Sequence, residues 1–187
     1  GIVASDVLEN CHNFLKEGEI LNLKGTIEVD GTEISILSES QRDKLRGQKI
    51  GYIFQSFHLL PGYSALENVI LGMSFSGNIN FDLAKDLLIR VGLEDRILHT
   101  PGQLSVGQRQ RVAIARALAN NPCLVLADEP TANLDTELSQ AVIELIKQLC
   151  KEQNAAMLLV THDDQILNQF GSIKNLETIN KAYGAKL

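Results

Sequence analysis

Two short runs place ionisable side chains where buried strands should end. Cys123 to Ala127 is a continuous apolar stretch, and Asp128-Glu129 follow it directly. Ala156 to Thr161 is a second such stretch, followed by His162-Asp163. Open α/β sheets bind ligands at the carboxyl ends of their strands. Successive side chains along a strand point opposite ways, so the two adjacent acids cannot do the same job. Upstream, Leu104-Ser105-Val106-Gly107-Gln108 opens a helical stretch. Ser105 can be its N-cap, and Gly107 should let a ligand approach the backbone. The helix behind presents free N–H groups and the positive end of its dipole, which suits phosphate. An anion-binding helix terminus just ahead of a strand ending in two carboxylates is the equipment of a nucleoside-triphosphatase.

The elements that must position these groups can be read from local pattern. Residues 25–36 alternate, turn at Asp30-Gly31 and resume at Thr32, a hairpin signal. Ser38-x-x-Gln41 predicts a capping box for a short helix ending at Gly47. Residues 49–55 read as a strand ending at Gln55, and Pro61-Gly62 as a turn. Ser64-x-x-Glu67 caps a helix expected to reach Leu71. Asp82 is the expected cap of the next helix, with Leu83, Leu87, Leu88 and Val91 on one face and Gly92 at its end. The helix after Ser105 should run to Ala119 and stop before Pro122. Leu138, Val142, Leu145 and Leu149 form another helical stripe. Strands apolar on both faces, alternating with helices, predict a parallel sheet covered on both sides.

Composition bounds the function classes. The chain has 187 residues, enough for one domain with a substantial core. Its net charge of −6, from 17 basic and 23 acidic residues, argues against nucleic acid as the main partner. Cys11, Cys123 and Cys150 are few and far apart, as expected of buried reduced thiols rather than a disulfide framework or a metal site. No apolar run approaches the roughly 20 residues of a membrane span. The opening residues do not read as a secretory signal. Any membrane role is expected to run through a partner, from the aqueous side.

The stretch from Leu104 to Asp135, with its Gln-Arg-Gln-Arg-Val-Ala-Ile-Ala-Arg-Ala-Leu continuation and Ala-Asp-Glu-Pro-Thr-Ala-Asn-Leu-Asp close, resembles the ATP-binding-cassette (ABC) family. The resemblance covers nearly the whole chain. It implies an α/β fold of the P-loop NTPase type: a mainly parallel core sheet, an antiparallel β subdomain, and a helical signature subdomain over about residues 56–119 of a single 1–187 domain. With Tyr52-Ile53-Phe54-Gln55-Ser56-Phe57-His58-Leu59-Leu60-Pro61, the motifs look most like the lipoprotein-release and macrolide-exporter branch. Similar sequences occur in the cell-division branch.

The family pattern also carries expected roles and ligands, namely ATP and Mg2+. It assigns Asp128 to the magnesium shell and Glu129 to the attacking water. Gln55 falls at the Q-loop position, where an amide can ligate magnesium and sense the γ-phosphate. His162 is the switch histidine that contacts γ-phosphate. Ser105, Val106, Gly107 and Gln108 match the signature motif, which holds the ATP of a second subunit, so the resemblance implies a head-to-tail homodimer. Val106 stands where the commonest family form has glycine. Asp135 closes the D-loop that couples the two sites. The apolar segment from Gln55 to Pro61 suits a groove for an integral membrane permease subunit, which would hold the protein at the inner face of the membrane. His58 reads as a groove residue.

One family element is not in the sequence. No Gly-x-x-x-x-Gly-Lys-Ser/Thr loop, which would cradle the phosphates, occurs in the 187 residues. Lys16 to Ile20 looks like the strand leading into that loop, yet Lys24-Gly25-Thr26 already resembles the segment that follows it. A second break falls near Asp6-Val7, where an adenine-stacking aromatic is expected. Both gaps would surround the nucleotide, and the chain is therefore read as ordered segments joined across omitted loops. Normal backbone spacing at 6–7, 18–21 and 23–24 would instead mean a real deletion and a catalytically silent cassette. A soluble, non-transport ABC ATPase is the other alternative; long insertions, a second cassette or basic surfaces would mark it.

Overall fold

The computed structural model describes residues 2–5 and 28–175. The apolar runs form its centre as three parallel strands, β4 (Ile50–Ile53), β5 (Leu124–Asp128) and β6 (Ala156–Thr161). Ile53 lies beside Ala127, and Asp128 beside Val160. β1 (Ile2–Ser5) pairs antiparallel with β6, and β7 (Ser172–Asn175) pairs antiparallel with β1. The order β4-β5-β6-β1-β7 thus has a parallel centre and a mixed edge. The predicted hairpin is a separate two-stranded sheet, β2 (Glu28–Val29) with β3 (Thr32–Glu33). Asp30 and Gly31 both have positive φ, 51° and 72°, the two-residue turn that Asp-Gly favours. Lys49 Nζ donates to Asp30 Oδ2 at 2.6 Å and ties the hairpin to the first helix.

That helix, α1 (Glu39–Lys49), has the Ser38–Gln41 capping box but runs past Gly47 instead of ending there. A Cβ at Gly47 would lie 3.0 Å from the Phe75 carbonyl oxygen, so this glycine serves close packing and not termination. α2 (Ala65–Ser74), capped by Ser64 and Glu67, likewise passes Leu71 by a turn. α3 (Phe81–Arg90) is capped by Asn80, whose Oδ1 accepts from Leu83 N at 3.0 Å. The expected cap Asp82 falls instead in the first turn, where its charge suits the helix dipole. Gly92, with φ of 74°, follows the helix end as predicted.

α4 (Val106–Leu118) packs on α2, α3, β4 and α5 (Thr136–Glu152). With so many neighbours it buries Val112, Ala113, Ile114, Ala115, Ala117 and Leu118, and its small residues permit close approach. The tightest point is at Gly51 in β4, where an added Cβ would stand 2.3 Å from the Ala117 carbonyl oxygen. α5 makes the crossover that parallel strands β5 and β6 require. Its buried face is Val142, Ile143, Ile146, Leu149 and Cys150; of the predicted stripe Val142 and Leu149 are buried while Leu138 and Leu145 are half-buried, because the helix packs on both β6 and α4. Each fully buried Leu or Ile here stabilises the fold by about 1.5–3 kcal/mol. Asn154, with φ of 54°, then turns the chain into β6.

Cys150 is buried, and burial pushes its thiol pKa up to about 12. Cys123 is only half-buried, and both are thiols rather than disulfide partners. No helix among the described residues is long and apolar enough to cross a membrane. Cys11, His12, the Lys16–Lys24 segment, residues 25–27 of the predicted hairpin, and the junctions at 6–7, 18–21 and 23–24 lie outside the described residues.

Candidate functional site

The carboxyl ends of β5 and β6 adjoin, and this brings three side chains together. Asp128 is the last residue of β5 and is exposed. Glu129 follows in a left-handed backbone conformation, φ 45°, which is uncommon for a residue with a Cβ. Its N–H donates to the Val160 carbonyl at 2.9 Å, extending the strand ladder by one bond. That bond and the turned backbone aim the Glu129 carboxylate at the end of β6. There His162 Nδ1 lies 2.5 Å from Glu129 Oε1, and Thr161 Oγ1 donates to Oε2 at 3.1 Å. Thr161 is fully buried, and its hydroxyl also accepts from the Asp163 N–H at 3.2 Å. Asp163 in turn caps the short helix α6 (Asp164–Leu167).

The side chain of His162 is 79% exposed and that of Glu129 only 18%. The acid is thus largely shielded, while the imidazole that touches it faces solvent. The hydrogen bond accepted by the Glu129 carboxylate raises the His162 pKa above the usual imidazole value, and the carboxylate's charge adds to the rise.

Gln55 lies two residues beyond β4, and its side chain is exposed. Because β4 and β5 are parallel neighbours, Gln55 and Asp128 leave the sheet at the same edge. Asn133 Nδ2 donates to the Gln55 carbonyl at 3.0 Å. The following turn is unusual: Phe57 and His58 have φ of 59° and 47°. The His58 ring sits 4.6 Å from that of Phe54 and is exposed. Asp128 and Gln55 offer a carboxylate and an amide oxygen, hard donors suited to Mg2+, which keeps waters and takes phosphate oxygens as its other ligands. No group of three or more His, Cys, Asp or Glu among the described residues forms a cage for a metal.

Ser105 caps α4 through a capping box with Gln108: Gln108 N donates to Ser105 Oγ at 3.2 Å, and Ser105 N to Gln108 Oε1 at 2.9 Å. Ser105 and Val106 are exposed at the helix terminus. Gly107 is not open to a ligand as expected. It is buried, and a Cβ there would meet Leu138 Cδ2 at 2.8 Å, so the glycine makes room for α5. Asp135 caps α5, its Oδ1 accepting from Leu138 N at 2.8 Å.

Glu129 and His162 are therefore in contact, Asp128 and Gln55 flank them at the same sheet edge, and Ser105 to Gln108 stand at a separate helix terminus. The sequence reading gave no role to Thr161, Asn133 or Arg116. Their contacts span 32, 78 and 58 or 59 positions, beyond any local pattern.

A sheet with a parallel centre and acids at its strand ends, with an exposed capped helix terminus elsewhere on the same unit, is of the α/β class that binds ligands at strand carboxyl ends. The ABC transporter family profile matches residues 15–132. The lipoprotein-releasing system ATP-binding protein LolD 1 of Caulobacter vibrioides is 46% identical over 151 residues, covering 79% of this chain and 64% of that protein. LolD of Acinetobacter baylyi is 42% identical, covering 82% and 69%. A solved dimeric ATP-binding cassette in a post-hydrolysis state bound to ADP and Pi superposes with a TM-score of 0.69 at 35% identity, covering 82% of this chain and 74% of that one. The chain belongs to the ABC transporter family, as an ATP-binding cassette similar to the lipoprotein-releasing branch. It spans 64% and 69% of the length of these two curated relatives.

Proposed function

We propose that this cassette hydrolyses ATP and thereby powers a membrane transport or mechanotransmission complex. The observation that carries this reading is the Glu129 carboxylate, fixed at a strand end and touching the exposed imidazole of His162. Glu129 orients and deprotonates the attacking water. His162, released from Glu129, stabilises the transferring phosphoryl group. Asp128 and Gln55 hold Mg2+, which supplies charge neutralisation at the phosphates when bound. Ser105, Val106 and Gln108 hold the γ-phosphate of ATP bound by a second copy, with Gly107 letting this terminus pack closely on α5, and Asp135 lies in the segment that links the two sites. The chemistry is positioning and electrostatics, as in other phosphoryl transfers.

Two copies then close head to tail on ATP and part after hydrolysis. The dimeric state of the solved ATP-binding cassette supports two copies acting together, and the relatives' description as lipoprotein-releasing system ATP-binding proteins supports ATP as the ligand. The segment from Gln55 to Pro61, with its exposed Leu60 and with exposed Tyr63 beside it, is the docking face for an integral membrane permease subunit. The protein then sits on the cytoplasmic side of the membrane through that partner. We read residues 1–187 as one domain, with a helical signature subdomain at about 56–119 and with nucleotide-site loops missing from this sequence near 6–7 and 19–24.

Intact mass and ATP-induced dimerisation of the Glu129→Gln protein test this together. The expected result is a natural protein heavier than 20.5 kDa that dimerises with Mg-ATP. A mass of 20.5 kDa with no nucleotide binding would overturn the reading and leave a catalytically silent module.

A further inference from the structure

Arg116 sits near the end of α4, yet its guanidinium reaches the turn beyond β4. Nη1 donates to the His58 carbonyl and Nη2 to the Phe57 carbonyl, both at 2.6 Å. These are the two successive residues with left-handed backbone, a conformation disfavoured for side chains of their bulk. Within the turn, Phe57 N donates to the Phe54 carbonyl at 3.3 Å and His58 N to that of Ser56 at 2.6 Å. A planar fork that binds two adjacent carbonyls fixes the orientation of both. The arginine stem is itself guided: a Cβ on Gly72 in α2 would stand 2.9 Å from Arg116 Cγ. Arg109, two turns earlier on the same face of α4, lies 5.8 Å over the Phe57 ring. From the other side, Asn133 holds the Gln55 carbonyl.

We propose that Arg116 is a positioning residue for Gln55: its guanidinium holds the Ser56–His58 turn in the left-handed form and so fixes where the Gln55 amide stands. The inference rests on the reading of Gln55 as a nucleotide-site residue. The same 13-residue helix begins at the Ser105 cap and carries Arg116 in its last turn. A displacement of the α4 terminus by a second copy's phosphate therefore reaches Gln55 through one side chain.

The test compares Arg116→Met, which keeps the stem without donors, with Arg116→Lys, which keeps the charge without the planar fork. Hydrogen–deuterium exchange at the Phe57 and His58 amides should rise about tenfold or more in R116M and by less in R116K. In the full-length protein, R116M should raise the Mg2+ concentration for half-maximal ATP hydrolysis about tenfold, with the KM for ATP at saturating Mg2+ unchanged and with partial rescue in R116K. Unchanged exchange in R116M, or in R116K should R116M not fold, overturns the proposal. Faster exchange with an unchanged Mg2+ requirement also overturns it, leaving Arg116 a packing residue. If the wild type hydrolyses no ATP, the functional reading fails, and exchange alone decides whether Arg116 holds the turn.

Discussion

The imidazole of His162 and the carboxylate of Glu129 meet at 2.5 Å across the ends of two parallel strands. The pair exists because Glu129 continues the β5–β6 ladder by one bond in a left-handed conformation, which turns its side chain toward Thr161 and His162. In this geometry the carboxylate is held directly against the imidazole.

The Glu129 contact raises the pKa of His162. A raised imidazole pKa means that the contact's stabilisation is fully present below the ordinary value of about 6.5 and is lost as pH rises through the raised one. NMR titration should therefore give a His162 midpoint above about 6.5. Glu129→Gln should bring it down toward that value. Equal midpoints in the two proteins would mean that the contact is absent in solution.

Capping and phosphate binding at Ser105 can be separated. Ser105→Ala removes the hydroxyl that accepts from Gln108 N and should cost about 1 kcal/mol. That corresponds to a Tm lower by roughly 2–4 °C in calorimetry. Ser105→Asp keeps a good cap and should preserve stability to within about 0.5 kcal/mol. Its carboxylate would repel the phosphate of a second copy, so ATP-induced dimerisation of S105D should be lost. Wild-type dimerisation by S105D would remove this terminus from the phosphate site.

Gly51→Ala should be the costlier change at a position remote from chemistry. The new methyl would stand 2.3 Å from the Ala117 carbonyl and 3.2 Å from Pro122 Cγ, and neither backbone nor ring can step aside. The expected cost is about 3 kcal/mol, read as a Tm lower by roughly 6–12 °C. Gly62→Ala, with nothing within 4 Å of its Cβ, should change stability by less than about 0.5 kcal/mol.

Local chemistry made much of this fold legible. The capping boxes at Ser38 and Ser64, the Ser105 cap, the Asp30-Gly31 turn, and the apolar runs of β5 and β6 each rest on neighbours a few residues apart. The misjudged points are those where a distant neighbour decides. Gly47 lies inside α1 because Phe75 packs on it, and Gly107 is a packing glycine because Leu138 needs its space. At α3 the expected cap Asp82 falls in the first turn, and Asn80 takes the role because its side chain reaches Leu83 N. In the site, Asp128, Glu129 and His162 were legible as charges after buried strands. Thr161, Asn133 and Arg116 were not, since each acts through a partner more than 30 positions away.

Magnesium-dependent ATP hydrolysis by the full-length protein, compared with its Glu129→Gln variant, is the most direct test of the account. The account predicts hydrolysis in the wild type that falls about 10²–10⁴-fold in E129Q, while E129Q still binds nucleotide. Equal rates in the two proteins, or no magnesium-dependent hydrolysis in the wild type, would contradict it.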